Sequence, residues 1–166
     1  MKNITTRIAA LCLGILILGS CSKDSTSFLP ESKTKATIDG ASWNSTTQVA
    51  YKNLTGFIIT ATQISTTSLT TSTLVFTLVG SGTGDYDVLS TSTKHFVAIY
   101  TPNISEPTAT FTSTKGTVSL TEIDTANKTI SGTFNFTCAS LALVPVLKTV
   151  SSGTFTKISY QESSAK

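Results

Sequence analysis

Arginine is almost missing from this sequence of 166 residues: Arg7 is the only one, beside eleven lysines. Arginine is the usual bidentate ligand for phosphate and for guanine edges. Lysines nearly balanced by nine acids make a weak electrostatic footprint, so nucleic acid is excluded as a partner. Histidine is as scarce. His95 stands alone, which excludes a histidine-rich zinc site. No Gly-x-Ser-x-Gly elbow is present. A Ser-His-Asp group can be assembled only on paper, from His95 with Asp39 or Asp124, in a chain where serine is abundant. No catalytic residue, metal ligand or cofactor is therefore assigned, and an enzyme is not expected. A helical period is also absent beyond residue 35, which excludes helix bundles and α/β folds.

What is present begins at the N-terminus. Lys2 and Arg7 precede an apolar run from Ile8 to Leu18, followed by small residues. That order is the layout of a secretory signal. The run is too short for a spanning helix, which needs roughly 20 residues. Leu18-Gly19-Ser20-Cys21 resembles the lipobox of bacterial lipoproteins. The resemblance implies cleavage after Ser20, a diacylglyceryl group on the Cys21 thiol, and acylation of the new amine. Removal of the signal takes Lys2 and Arg7 with it, so a formal charge of +3 becomes +1. Cys12 leaves as well, Cys21 carries lipid, and Cys138 is left without a disulfide partner.

The domain division follows composition: signal peptide 1–20, lipidated tether 21–35, one β domain 36–160 and a short disordered tail 161–166. Residues 22–35 are polar and contain Pro30, a composition that buries too little to order itself. The domain has room for a single core. Its β-branched and aromatic residues come in short runs broken by Gly, Asn, Asp and Ser. The expected fold class is all-β, a single antiparallel β-sandwich or barrel-like domain.

Several elements can be placed. Asp39-Gly40 marks a hairpin turn. Residues 73–79, with Leu74-Val75-Phe76-Thr77-Leu78-Val79, alternate so little that either both faces are covered or the strand lies centrally in a sheet. In residues 129–138, Phe134, Phe136 and Cys138 alternate with polar neighbours, so that face should be buried. Residues 109–113 and 117–123 read as two strands, as do 146–150 and 153–160. Ser-Gly-Thr-Phe occurs at Ser131 to Phe134 and again at Ser152 to Phe155. Each copy reads as an antiparallel strand opened by a glycine that permits a bulge.

Ile38-Asp39-Gly40 with Trp43, Gly84 with Tyr86, Ala98-Ile99-Tyr100, Gly116-Thr117-Val118, Ile130 to Phe136 and Gly153-Thr154-Phe155 follow one another in a set order. This order resembles a family of small Bacteroidota lipoproteins of unknown function. The resemblance implies one antiparallel β domain behind a lipobox and supplies no catalytic residue. Leu141 to Leu147, apolar and containing Pro145, stands where a polar hairpin would be expected.

The remaining candidates are few. Trp43 reads as core, with a sugar-stacking contact as its functional alternative. Asp85 and Asp87 flank Tyr86 and share one strand face, which reads as a solvated face. Ser25 and Thr125 each follow an aspartate in a pattern that resembles Bacteroidota O-glycosylation sites. The expected role is a lipid-anchored, non-catalytic structural or protein-interaction module of the cell envelope, in the outer membrane, with an envelope protein or glycan as partner. A small-ligand or glycan-binding accessory lipoprotein is the alternative, and a hydrolase the third. Exposure of Trp43, Tyr51, Tyr86 and Tyr100 separates the first two.

Overall fold

Alternation decides the architecture. In almost every strand the residues at every second position are buried and large or small apolar, while their neighbours are polar or half-exposed. A sheet with one apolar face must cover it, either with a second sheet or by closing on itself. The computed structural model describes residues 34–88, 91–106 and 109–162. It shows closure.

Ten strands occur among the described residues: β1 (Thr34–Ile38), β2 (Ala41–Asn44), β3 (Thr47–Lys52), β4 (Gly56–Ile64), β5 (Thr71–Val79), β6 (Gly84–Val88), β7 (His95–Thr101), β8 (Phe111–Asp124), β9 (Thr129–Ser140) and β10 (Leu147–Glu162). No described residue is helical. The pairings run β3-β4-β5-β7-β8-β9-β10 and return to β3, so the sheet is a barrel. Two short strands are wedged into it. β6 fits between β7 and β8 where these diverge. β1, with β2 on its outer side, pairs with the first half of β10, and β3 takes over beside Tyr160.

The all-β class is as expected, and the barrel is the alternative that holds. The wholly antiparallel arrangement is corrected. β10 pairs with β3, and β6 with β7, in parallel. Both parallel contacts arise at the wedges, where a strand meets a neighbour it is not joined to by a hairpin. The split pairs of strands are corrected too. β8 and β10 each run unbroken, with register shifts at Ser113/Lys115 and Val150/Gly153 where breaks were expected. A bulge absorbs the extra residue and keeps the strand in the ladder.

β5 lies between β4 and β7, so of the two alternatives its composition allowed the central position holds, with one face covered. Leu74, Phe76 and Leu78 are buried, Val75 and Val79 are half-exposed and Thr77 is exposed. A barrel has one inside, so only one face of any strand is sealed.

The inside is filled. A ring of about this many strands has an interior just wide enough for side chains. Phe76 from β5 meets Phe134 at 4.7 Å, Phe136 at 6.0 Å and Phe155 at 6.4 Å between ring centroids. Ala50, Ala61 and Ala98 point inward on neighbouring strands and leave room for these rings. As expected, Phe134, Phe136 and Cys138 face the core.

The repeated Ser-Gly-Thr-Phe segments interlock. In the β9–β10 register Gly153 lies opposite Phe134, and Gly132 lies opposite Phe155. A Cβ on Gly153 would come within 2.2 Å of the Phe134 ring, and one on Gly132 within 2.6 Å of the Phe155 ring. Each glycine makes room for the other copy's phenylalanine, and the two rings stack at 6.1 Å. Gly116 on β8 stands opposite Phe136, where a Cβ would meet the Asn135 carbonyl and the Phe136 Cα, so this glycine permits a close approach of the β9 backbone. Gly153→Ala should therefore cost about 1–3 kcal/mol in urea unfolding, the usual range for overpacking. Adding Phe134→Leu should cost less in that background than in wild type. Equal costs would mean that the ring and the glycine are not coupled.

Candidate functional site

The two rims of the barrel differ. The upper rim carries the β3–β4, β5–β6 and β8–β9 turns and the end of β10 at Glu162. The lower rim carries the β1–β2 turn and the β4–β5, β7–β8 and β9–β10 loops.

A cleft of about 480 Å³ opens on the upper rim between its three turns. Leu54, Phe57 and Ile123 give it apolar walls, and Lys52, Ser81, Thr83 and Thr125 give it polar ones. Local chemistry fixes each turn. The Asn53 side chain accepts from the Thr55 and Gly56 amides at 2.9 and 2.8 Å, which pins the β3–β4 turn. Gly80 donates from its amide to the Thr55 carbonyl at 2.7 Å and joins the first turn to the second. Tyr86 is buried and donates its hydroxyl to the Gly82 carbonyl at 2.7 Å. Burial raises its phenol pKa.

The one cation among the cleft walls is already engaged. Lys52 donates to Glu162 at 3.1 Å, and Lys128 lies 3.7 Å from the same carboxylate. These two cations hold the Glu162 pKa down. Thr125 is exposed in the β8–β9 turn. Asp124 closes that turn by accepting from the Ala126 and Asn127 amides, both at 2.9 Å. The Asn127 side chain adds a bond at 2.7 Å, and these contacts lower the Asp124 pKa.

Trp43 is not at a surface. It is 3% exposed, and its indole N–H donates to Ser72 Oγ at 2.8 Å, so it reaches from β2 to β5. Tyr86 and Tyr100 are buried too, and Tyr51 alone of the four aromatics is exposed. Asp85 and Asp87 accept from Ser119 Oγ at 2.5 Å and Thr117 Oγ1 at 2.9 Å across β6 and β8, on the outside of the barrel. No group of three metal-ligating side chains occurs among the described residues.

The acids considered with His95 are committed elsewhere. Asp39 sits in the β1–β2 turn on the lower rim, where it accepts from Lys148 Nζ at 2.7 Å and the Thr149 amide at 2.8 Å. Those bonds lower its pKa. Asp124 holds its own turn. The imidazole Nδ1 lies 3.4 Å from the Ser92 carbonyl. Ser20, Cys21 and Ser25 lie outside the described residues.

Cys138 is fully buried, and burial, with the nearby Asp39 charge, raises its thiol pKa to about 11. Its Sγ points at the Lys148 carbonyl, 3.7 Å away. Alkylation should be slow in the native protein at pH 8 and fast in denaturant. The raised pKa also sets a pH dependence. The neutral thiol is favoured in the folded state, so this contribution is complete below about pH 9 and is lost as pH rises towards 11. Cys138→Ser should cost about 1–3 kcal/mol, because a buried hydroxyl needs a partner. Rapid alkylation of the folded chain would contradict the burial.

Sequence reasoning missed Leu54, which is 93% exposed at the edge of the cleft, and Leu69 and Ile104 on the lower rim. Leu54 had a signal, an aliphatic residue in the middle of an Asn-Leu-Thr-Gly turn.

A family model described as a domain of unknown function, DUF6252, matches residues 31–159. Neither a curated protein nor a solved structure matches the chain.

Proposed function

The chain belongs to that DUF6252 family, and from its own architecture we propose that it is a lipid-anchored lipoprotein of the cell envelope, in the outer membrane, whose barrel is a non-catalytic structural or protein-interaction module. The observation that carries the second half is the filled interior. Small barrels that store ligands keep a chamber inside. Here Phe76, Phe134, Phe136 and Phe155 occupy it. With Trp43, Tyr86 and Tyr100 buried, Tyr51 is the one exposed aromatic side chain among the described residues, a small surface for glycan stacking. The first half rests on Leu18-Gly19-Ser20-Cys21 behind its apolar run. Its test is metabolic labelling with a tagged fatty acid. Label should enter the processed wild-type chain, and an unlabelled chain would remove the anchor from the account.

The upper cleft supports a second reading, a small-ligand accessory protein. It combines apolar walls with hydroxyls of Ser81, Thr83 and Thr125, the mixture that small-molecule sites share. Saturable shifts of these residues in a ligand titration followed by NMR would favour it over the first.

A further inference from the structure

Apolar side chains gather on the lower rim. Leu69 in the β4–β5 loop is 89% exposed and Ile104 in the β7–β8 loop 51%. Leu141, Leu143 and Val144 in the β9–β10 loop are 88%, 106% and 81% exposed, and Leu147 follows at 61%. Strand direction brings these three loops to one end of the barrel, and the Ile104 amide donates to the Thr71 carbonyl at 2.9 Å, joining two of them. The lower rim carries Glu106 and the Asp39–Lys148 pair at 2.7 Å, with Lys115 level with Thr149 in the strand register. The upper rim holds Lys52, Lys128, Asp124 and Glu162.

We propose that the lower rim is a membrane-contact surface, whose aliphatic loop tips enter the interface of the bilayer that carries the lipid on Cys21. This rests on the anchored lipoprotein reading given above. Three observations choose a lipid surface over a protein. First, the tips sit on three different loops and are half to fully exposed, a shape that a fluid medium can follow. A protein partner would need a matching pocket for each. Second, the described residues of the rim include no exposed Trp, Tyr or Arg, the residues that dominate protein hot spots. Third, the tether reaches. Twelve residues separate Cys21 from Thr34, a length that spans at most roughly 45 Å. β1 then runs from Thr34 to the lower rim, a rise of about 14 Å over its five residues. Once the chain is anchored, the rim meets the bilayer at a high effective concentration, so weak insertion suffices to orient the barrel. The upper cleft would then face away from the membrane.

Leu54 supplies the control, since it is as apolar and 93% exposed on the upper rim. A nitroxide is placed on full-length Leu143→Cys or Leu54→Cys, with Cys138 protected by burial. The processed chains are reconstituted in vesicles of phosphatidylethanolamine and phosphatidylglycerol. The label at 143 should collide with dissolved oxygen and lose collisions with a water-soluble nickel chelate, while the label at 54 keeps them. Equal access of nickel to both labels would overturn the proposal. So would a label at 143 hidden from both reagents, which would mean burial against a protein or a second copy. Fatty-acid labelling of the same preparations reads the anchor separately. A chain without fatty acid whose 143 label still enters lipid would sink the anchor and keep the rim. Fatty acid present with a nickel-accessible 143 label would do the reverse.

Discussion

Cys21→Ala is expected to abolish incorporation of labelled fatty acid and to leave the chain either uncut or free of the membrane. The size of this effect follows from counting methylenes. Burial of each CH₂ contributes about 0.8 kcal/mol, so a single chain binds reversibly and two or more hold the protein firmly. The lipobox reading places at least two chains on Cys21, and all of them depend on one sulfur atom. No other residue can take that role, since Cys12 lies within the apolar run and Cys138 is buried. An uncut product would keep the apolar segment Ile8 to Leu18 and could still sediment with membranes. The decisive readout is therefore the fatty acid itself. Normal labelling of the variant would contradict the assignment of Cys21.

Phe76→Ala is expected to destabilise the barrel by about 3–5 kcal/mol, the range for removing a large buried aromatic. The upper half of that range applies because the site cannot collapse. Phe76 is fully buried in the middle of β5 and touches rings from β9 and β10 on the far side of the interior. The ring of strands is tied on both sides by ladders, so no wall can move in to fill the space. Against a total stability of about 5–15 kcal/mol, such a loss would put a measurable unfolded population within reach of mild denaturant. Urea unfolding by circular dichroism measures it. A cost under about 1.5 kcal/mol, the usual limit for well-tolerated core swaps, would mean that the interior is loosely packed.

Much of the barrel was legible locally. The Asp39-Gly40 turn was, because only a short list of residues accepts positive φ, and Asp39 and Gly40 have φ of 49° and 83°. The inward face of β9 was, because Phe134, Phe136 and Cys138 keep a strict period of two. Closure was not. It depends on β10 returning to β3, a parallel contact between Tyr160 and Ala50 that no local pattern announces. The two long strands were cut in the wrong places for a related reason. A glycine beside a polar run reads as a break, whereas Gly153 admits the Phe134 ring and Gly116 admits the β9 backbone at Asn135 and Phe136. The candidate site was the least legible part. Its cleft is made where three turns from distant parts of the chain meet, and only Thr125 among its walls had been singled out. The lower rim, by contrast, was visible as an anomaly. Leu141 to Leu147 is apolar where a hairpin should be polar, and the structure leaves most of it in solvent.

The barrel encloses a packed core of aromatic and aliphatic side chains. Trp43 reports on this alone, being the only tryptophan in the chain. Acrylamide quenching of its fluorescence is the most direct measurement. The account predicts blue-shifted emission, weak quenching, and no change when glycans or fatty acids are added, because the indole is 3% exposed and bonded to Ser72. Red-shifted emission with strong quenching, or a saturable spectral shift on adding such a ligand, would contradict it.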